Sequence, residues 1–378
     1  MNFQHTDEQK MVRQVVRQFA EERLRPTAHA RDKSQTPPLD EIRDFAKLGF
    51  LGMTIPEEFG GAPLDDVSEA IVIEELSRCD ASAGVLVAVH CGLCSKTLVV
   101  WGNEAQKKKY LPRLAAGEWL GAYSLSEPNS GSDAAALITK AERRGDKYIL
   151  NGRKNWVTNG SIADVYVLMA RTDAAASKAK GISAFLVEKT FPGIRVGKKE
   201  DKLGIRSSDT VELELEDCEV PAENLLSTEG NGFKVALNAL DISRIGIAAQ
   251  AVGIAQGALD FALQYSKERE AFGQKIKEFQ TIGNYLADMH TRTEAARLLT
   301  YRAAYLKFLG VRHTVESSVA KLFAGDTAVW VTDRAVQILG GYGYVTEFPV
   351  ERFYRDAKIT QIYEGTNEIQ RVVIARNL

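Results

Sequence analysis

Of 378 residues only four are cysteine: Cys79, Cys91, Cys94 and Cys218. That is too few for a disulfide-stapled scaffold of this size. Cys91 and Cys94 form a CxxC pair, but no second ligand pair follows at zinc spacing and the neighbours are apolar. Packing is therefore expected of them rather than metal or redox chemistry, in a reducing compartment, most simply the cytoplasm. The five histidines (His5, His29, His90, His290, His313) include no Glu-x-x-His pair, which a carboxylate–metal helical bundle would need. Neither sign of charge dominates: 48 Lys and Arg face 50 Asp and Glu. A chain that coats nucleic acid or an anionic membrane would be more lopsided, so neither partner is expected. The first residues, MNFQHTDEQK, carry acids and no apolar core, unlike a signal or transit peptide. The most apolar run, 81–94 (ASAGVLVAVHCGLC), is closed by Ser95-Lys96 and is short for a bilayer. A buried core helix is the expectation.

What is present is a chain that changes period twice. Residues 1–120 read as a helical domain: Thr6 and Gln9 form a capping box ahead of Met11, Val12, Val15, Val16 and Phe19 on one face. Further helices are expected over 39–48, stopped by Gly49, and over 66–77. Over 121–229 the period shortens to two. "KYILNGRKNWVTNG" reads as two strands about an Asn151-Gly152 turn, and "VYVLMAR" and "ISAFLVEK" as strands joined by the flexible 172–181 loop. "TVELELEDCEV" alternates Val211, Leu213 and Leu215 against three glutamates, as a half-exposed antiparallel strand does. Short strands at this spacing predict an antiparallel β-barrel or sandwich. Residues 230–378 return to long amphipathic helices over 233–270, 279–309 and 314–339, the last stopped by Gly340-Gly341. These predict an antiparallel bundle, expected to have four helices. The fold class is α+β multidomain: helical domain, β-barrel domain, helical bundle.

Three stretches are rich in chemistry. "YSLSEPNSGSD" (123–133) is a hydroxyl-, Pro- and Gly-rich turn whose backbone N–H groups could surround an anion or a polar ring. "NWVTNG" sets Trp156 and Thr158 on one side of a strand. "QILGGYGYVTEFPVERFYRDAKITQIYEGTNEIQR" spaces glycines between aromatics, which lets something flat approach backbone. It does not match GxGxxG and follows a helix, so it is not a dinucleotide-binding Rossmann turn. Near its end Glu364 stands alone between Tyr363 and Gly365, just before a helix.

Together these stretches resemble the acyl-CoA dehydrogenase family over essentially the whole chain. "LSEPNSGSDAAA" is similar to one family signature, with Ser124 where Gly, Ala or Cys is usual. "QILGGYGYVTEFPVERFYRD" fits a second at every constrained position, from Gln337 through Glu347 and Arg352 to Asp356, and "REAFG" (269–273) and "YEGT" (363–366) look like further hallmarks. Within the family the chain is most similar to the short-chain, butyryl-CoA branch.

The resemblance implies a non-covalent FAD and the introduction of a trans double bond between Cα and Cβ of an acyl-CoA thioester in fatty acid β-oxidation. By it, Glu364 is the base that removes the α-proton while hydride passes to flavin N5; Gly365 leaves room for the thioester and Tyr363 walls off water. It places Tyr123, Ser126, Trp156 and Thr158 around the isoalloxazine. Arg269 and Phe272 are expected at the FAD pyrophosphate and adenine half from a neighbouring subunit, with Gln337, Gly340 and Gly341 packed on that half and Thr366 and Glu368 near the pyrophosphate or ribose. Ser132, also matched to FAD, is matched with Asp241 and Arg244 to CoA, and Arg312 more weakly to its 3′-phosphate. A homotetramer and electron-transfer flavoprotein as electron acceptor are also implied. Some relatives carry the base just before the arginine that here is Arg244, but this chain has Ser243 there.

An α-proton is a poor acid, so Glu364 must titrate above the usual carboxylate range, and an apolar, water-poor site raises it. The helix N-terminus just beyond opposes this by about 0.3–1 kcal/mol, which is the smaller effect. The rivals are a non-catalytic helical scaffold, which would be colourless, and a flavin oxidase of the same superfamily, whose reduced flavin would reoxidise rapidly in O₂. A short straight, branched or cyclic acyl group is preferred, because over 79–101 only Asp80 and Lys96 are charged.

Overall fold

The computed structural model describes residues 4–176 and 178–378. The first three residues of the acidic N-terminus and Ser177 of the 172–181 loop lie outside it. Thr6 and Gln9 close the expected capping box on α1 (Asp7–Phe19), each side chain bonding the other's backbone N–H at 3.1 Å. A π-turn leads into α2 (Arg25–Ser34), and α3 (Leu39–Lys47) ends before Gly49, which turns left-handed at φ 83°. The buried α4 (Asp66–Cys79) starts at Asp65, whose carboxylate accepts from the Val67 and Ser68 N–H groups. α5 (Ala81–Ala88) does not stop where the apolar run does. It continues through a π-segment (Val89–Ser95) into α6 (Lys96–Trp101). The resulting 21 residues, like the 37-residue α8 below, are long and apolar enough to cross a membrane, contrary to the expectation from length. Both are mostly buried within the fold, so here they are core helices. α7 (Glu104–Ala115) closes this helical part.

Eight strands follow: β1 (Gly121–Ser124), β2 (Lys140–Arg144), β3 (Lys147–Thr158), β4 (Val165–Arg171), β5 (Ile182–Glu188), β6 (Ile194–Lys199), β7 (Thr210–Pro221) and β8 (Leu225–Leu226). The expected closed antiparallel barrel is not observed. The order is β6-β7-β3-β2-β4-β5-β8, its two ends do not pair among the described residues, and β1 adds parallel to β4. The ends explain this: β6 exposes Arg195, Lys198 and Lys199, as unpaired edges do, and β8 has only two residues with which to pair. The sheet instead folds over its own core of Tyr148, Leu150, Tyr166, Leu168, Phe185 and Leu213. Its other face, with Val165, Val167 and Leu186, joins the helical core.

A second expectation also fails. Asn151-Gly152 is no hairpin turn but a register shift inside the continuous β3. Gly152 presses so close to Thr139 that a Cβ would lie 2.5 Å from Oγ1, and the Asn151 amide is tied to Asp217 across the sheet at 3.1 Å. In β7 the alternation holds, with Val211, Leu213 and Leu215 buried between more exposed glutamates.

The last part contains α8 (Gly232–Glu268), a small hairpin of β9 (Glu270–Ala271) and β10 (Gln274–Lys275), α9 (Gln280–Phe308), α10 (Thr314–Leu339), α11 (Val350–Ala357) and α12 (Asn367–Ala375). It has three long helices rather than four, and α4 from the N-terminal part packs against both α8 and α9. Arg297 of α9 donates to the buried Glu74 of α4 at 2.9 Å, joining these two parts of the chain. That packing brings α8 and α10 against the segment before α12, where Glu364 lies.

Candidate active site

The turn 363–366 is held from three sides. Glu364 and Gly365 are both left-handed, at φ 53° and 91°. Such a conformation is uncommon for a glutamate and persists only where surroundings fix it. Lys321 of α10 donates to the Gly365 carbonyl at 2.7 Å and to Asn367 Oδ1 at 3.1 Å. Gln370 of α12 donates to the same carbonyl at 2.8 Å. Thr366 Oγ1 caps α12 by accepting from the Ile369 N–H. The Tyr363 hydroxyl donates to Gln250 of α8, whose amide donates in turn to the Ala81 carbonyl at 2.9 Å. The role of Gly365 is thus first a backbone one, because a Cβ there would stand 2.6 Å from Gln370 Nε2.

Glu364 itself is half-buried, but its Oε2 is sealed and without a hydrogen-bond partner. Burial pushes its pKa up to about 7, against the Ser243 hydroxyl and the Lys321 and Arg244 cations, all of which hold it down. Arg244, buried on α8, pairs with Asp241 at 2.6 Å while its Nε has no partner. The Asp241 carboxylate also accepts from Thr314 at 3.1 Å. The Tyr123 hydroxyl of β1 is buried without a partner, and burial together with the charge of Glu364 raises its pKa. Tyr123, Asp241, Arg244, Tyr363, Glu364 and Gly365 therefore form one neighbourhood. A small cavity of about 40 Å³ adjoins it at Ser243, walled by Ile73, Ala88, Gly92, Ile245 and Gly246.

A second group lies along the β1–loop–β3 seam. The Asn155 N–H donates to the Ser126 carbonyl at 2.9 Å, and Lys154, fully buried, donates to Glu127 at 2.8 Å and to Leu125 O at 3.1 Å. Trp156 sits in a bulge at φ 57° and is 57% exposed, so it is no core residue. Thr158 is half-buried at the end of β3.

A third group is an open cleft of about 770 Å³, where Arg269, Gly340 and Gly341 meet Tyr265, Tyr342 and Phe348. The Arg269 guanidinium lies 5.5 Å over the Tyr342 ring. Gly340, at φ 59°, ends α10.

Two predicted residues touch these groups from exposed positions: Glu368 bonds Thr366 of the turn, and the Gln337 carbonyl accepts from the Gly340 N–H of the cleft. Ser132 is exposed, and Phe272 is 96% exposed, touching Phe279 edge-on. Arg312 is at the surface, bonded to Asn377. His90 is fully buried, with Nδ1 accepting from the Gly121 N–H at 3.1 Å; burial lowers its pKa to about 4. Gly121 also lies against Cys94, where an added Cβ would meet Sγ at 2.5 Å, so that half of the CxxC is packing. Sequence reasoning missed Lys321, Gln250, Gln370 and the Lys154–Glu127 pair. The one available signal was a lysine among Ala320, Leu322, Phe323 and Ala324 on a helix.

The unpartnered buried Asn155 Oδ1 and Ser124 Oγ on the seam that carries the exposed Trp156, and a cleft with an arginine over a tyrosine, fit a flat, polar, phosphate-bearing group. Comparison with known proteins agrees. The family descriptions "Acyl-CoA dehydrogenase, N-terminal domain", "middle domain" and "C-terminal domain" match residues 6–118, 122–218 and 230–378. The chain belongs to the acyl-CoA dehydrogenase family. Among particular relatives, it is 48% identical over 375 residues to the short-chain specific acyl-CoA dehydrogenase of Clostridium acetobutylicum, covering 99% of each chain. It superposes on butyryl-CoA dehydrogenase of Megasphaera elsdenii with a TM-score of 0.98 and 45% identity, covering 100% of this chain and 99% of that one. A chain solved in work on the electron transferring flavoprotein of Acidaminococcus fermentans gives 0.98 and 49%, with the same coverage. An acyl-CoA dehydrogenase of Bacillus anthracis complexed with FAD gives 0.93 and 37%, covering 99% of this chain and 68% of that one.

Proposed function

We propose that the protein dehydrogenates a short acyl-CoA thioester to the trans-2-enoyl-CoA, with Glu364 as the base that takes the α-proton. The observation that carries this is a carboxyl with a sealed, unpartnered Oε2, raised to about 7 by burial and set on a turn fixed by two helices. A base is most useful when its pKa lies near the working pH, where it is ionised and still holds a proton well. FAD supplies the acceptor for the β-hydride; Tyr123, Ser126, Trp156 and Thr158 are proposed to hold its ring, and Arg269, Phe272, Gln337, Gly340, Gly341, Thr366 and Glu368 its phosphates and adenosine half. Asp241, Arg244 and Ser132 are assigned to CoA, and the Glu364 backbone N–H to the thioester carbonyl, where it stabilises charge as the enolate develops. Tyr363, bonded to Gln250, closes the site to water.

The cavity beside Ser243 favours a small, uncharged acyl group. Its wall includes Asp66, Glu69 and Lys307, and Lys307 is already paired with Asp66 at 2.5 Å and Glu69 at 3.3 Å. A second carboxylate on the substrate would meet two acids and a committed cation. Homotetramer formation, electron-transfer flavoprotein as acceptor and a reducing, cytoplasmic setting complete the proposal; four free, buried thiols accord with the last.

The test is a panel of acyl-CoA thioesters with an artificial acceptor, on the FAD-loaded protein and on Glu364→Gln. Butyryl-CoA should bleach the wild-type flavin and leave the variant oxidised, while glutaryl-CoA should be a poor substrate. Equal bleaching of the variant overturns the proposal.

A further inference from the structure

Lys321 is buried to 0% exposure in the middle of α10, and a lysine is rarely so placed without a task. Among the described residues its ammonium donates to two acceptors, the Gly365 carbonyl and Asn367 Oδ1. Both belong to the turn that presents Glu364. The backbone there runs through two consecutive left-handed residues, the first a glutamate. A conformation of this kind is strained for a non-glycine residue and persists only where neighbours over-determine it. Gln370 alone cannot do so, since its amide shares one carbonyl with Lys321 and bonds Glu364 O only at 3.4 Å. Asn367, the second Lys321 acceptor, is itself fixed by donating to Asp326 at 2.8 Å. A chain of bonds thus runs from α10 through the turn and back to α10.

We propose that Lys321 is a positioning residue for the base: its ammonium pins the left-handed Glu364–Gly365 turn and supplies the nearby positive charge that keeps the carboxyl ionisable in a dry site. The proposal rests on Glu364 being the base. Acting on that carboxyl are Ser243 and Arg244 from α8 and Lys321 from α10, with Tyr123 of β1 and Tyr363 of the turn feeling its charge; Asp241 faces Arg244, and Asp326 and Glu368 face Lys321. Arg244 is already matched by Asp241, which leaves Lys321 as the cation bonded to neutral groups alone. Losing it should raise the carboxyl further, because Lys321 holds it down and a nearby opposite charge lowers an acid by about one unit or more.

The experiment compares Lys321→Met and Lys321→Arg with wild type in the FAD-loaded protein, reading the pH dependence of kcat/KM, kcat and KM separately, with flavin content and circular dichroism as folding controls. Lys321→Met should move the acid limb of kcat/KM upward by about one pH unit and lower kcat more than it changes KM. Lys321→Arg keeps the charge but not the compact geometry, so its limb should stay in place while kcat falls. An unmoved limb in Lys321→Met, or a wild-type kcat in Lys321→Arg, overturns the proposal. If Lys321→Met does not fold, Lys321→Arg alone decides it by the same criterion. Glu364→Gln run in parallel separates the failures: activity in that variant sinks the assignment of the base, whereas its inactivity beside an unmoved Lys321→Met limb sinks only the role of Lys321.

Discussion

The turn that carries Glu364 and the hairpin that carries Phe272 lie at two ends of the proposed cofactor and substrate path, and they are built in opposite ways. Around Glu364 the polar partners come from the same chain: Lys321, Gln370, Gln250, Ser243 and Arg244. At the hairpin, Phe272 is 96% exposed at φ 54°, and Arg269 shares an open cleft with a tyrosine and two glycines. The proposed base sits among buried side chains, where burial can raise a carboxyl. The residues proposed for the phosphate and adenosine half of FAD are left at the surface, where Phe272 touches little besides Phe279. Such a residue calls for a partner surface, which is the physical content of the homotetramer proposal.

The comparison breaks most sharply at Glu364. Glu364→Gln should lower kcat by about 10³-fold, within the range general-base removal produces, and leave FAD content unchanged; stopped-flow flavin bleaching measures it. Arg269→Ala with Phe272→Ala should do the reverse. FAD affinity should weaken by about tenfold or more, as loss of a charge-assisted bond predicts, while kcat at saturating FAD stays within about twofold. A large fall in kcat would show that the two ends are not separable.

The pH dependence sharpens the same contrast. Burial holds Glu364 near 7, and a base must be ionised to act, so kcat/KM should rise with pH through about 7. An acid limb at the ordinary carboxylate position would place the group in water. The smallest effect is on stability. A carboxyl raised on folding adds most below its unfolded pKa of about 4.3, and that contribution is lost as pH climbs through about 7. At pH 8 the folded protein therefore carries a buried ion at a cost. Glu364→Gln should raise the melting temperature by a few degrees at pH 8 and change it little at pH 5.

Much of this was legible from the chain. Thr6 and Gln9 announced a helix start, the valine–leucine alternation of 211–215 announced a half-exposed strand, and Gly340 marked the end of α10, because capping and periodicity act between neighbours in sequence. "YEGT" singled out Glu364 through its resemblance to a family hallmark, which is itself a short local stretch. What failed involved distant partners. Asn151-Gly152 read as a hairpin but became a kink within β3, because Thr139, just before β2, and Asp217 of β7 take up its geometry. The sheet stayed open because its edge pairing is settled between segments far apart in the chain.

The sequence by itself determined most helices and strands, since these depend on spacing within a few residues, and through its resemblance to the family it pointed to the proposed acid. Tertiary structure alone decided that Lys321 and Arg244 would stand near that acid, that Gln370 would lock its turn, and that its oxygen would be dry. Desolvation and charge act through space, and residues 120 positions apart along the chain, such as 244 and 364, become neighbours only when α8 and α10 pack.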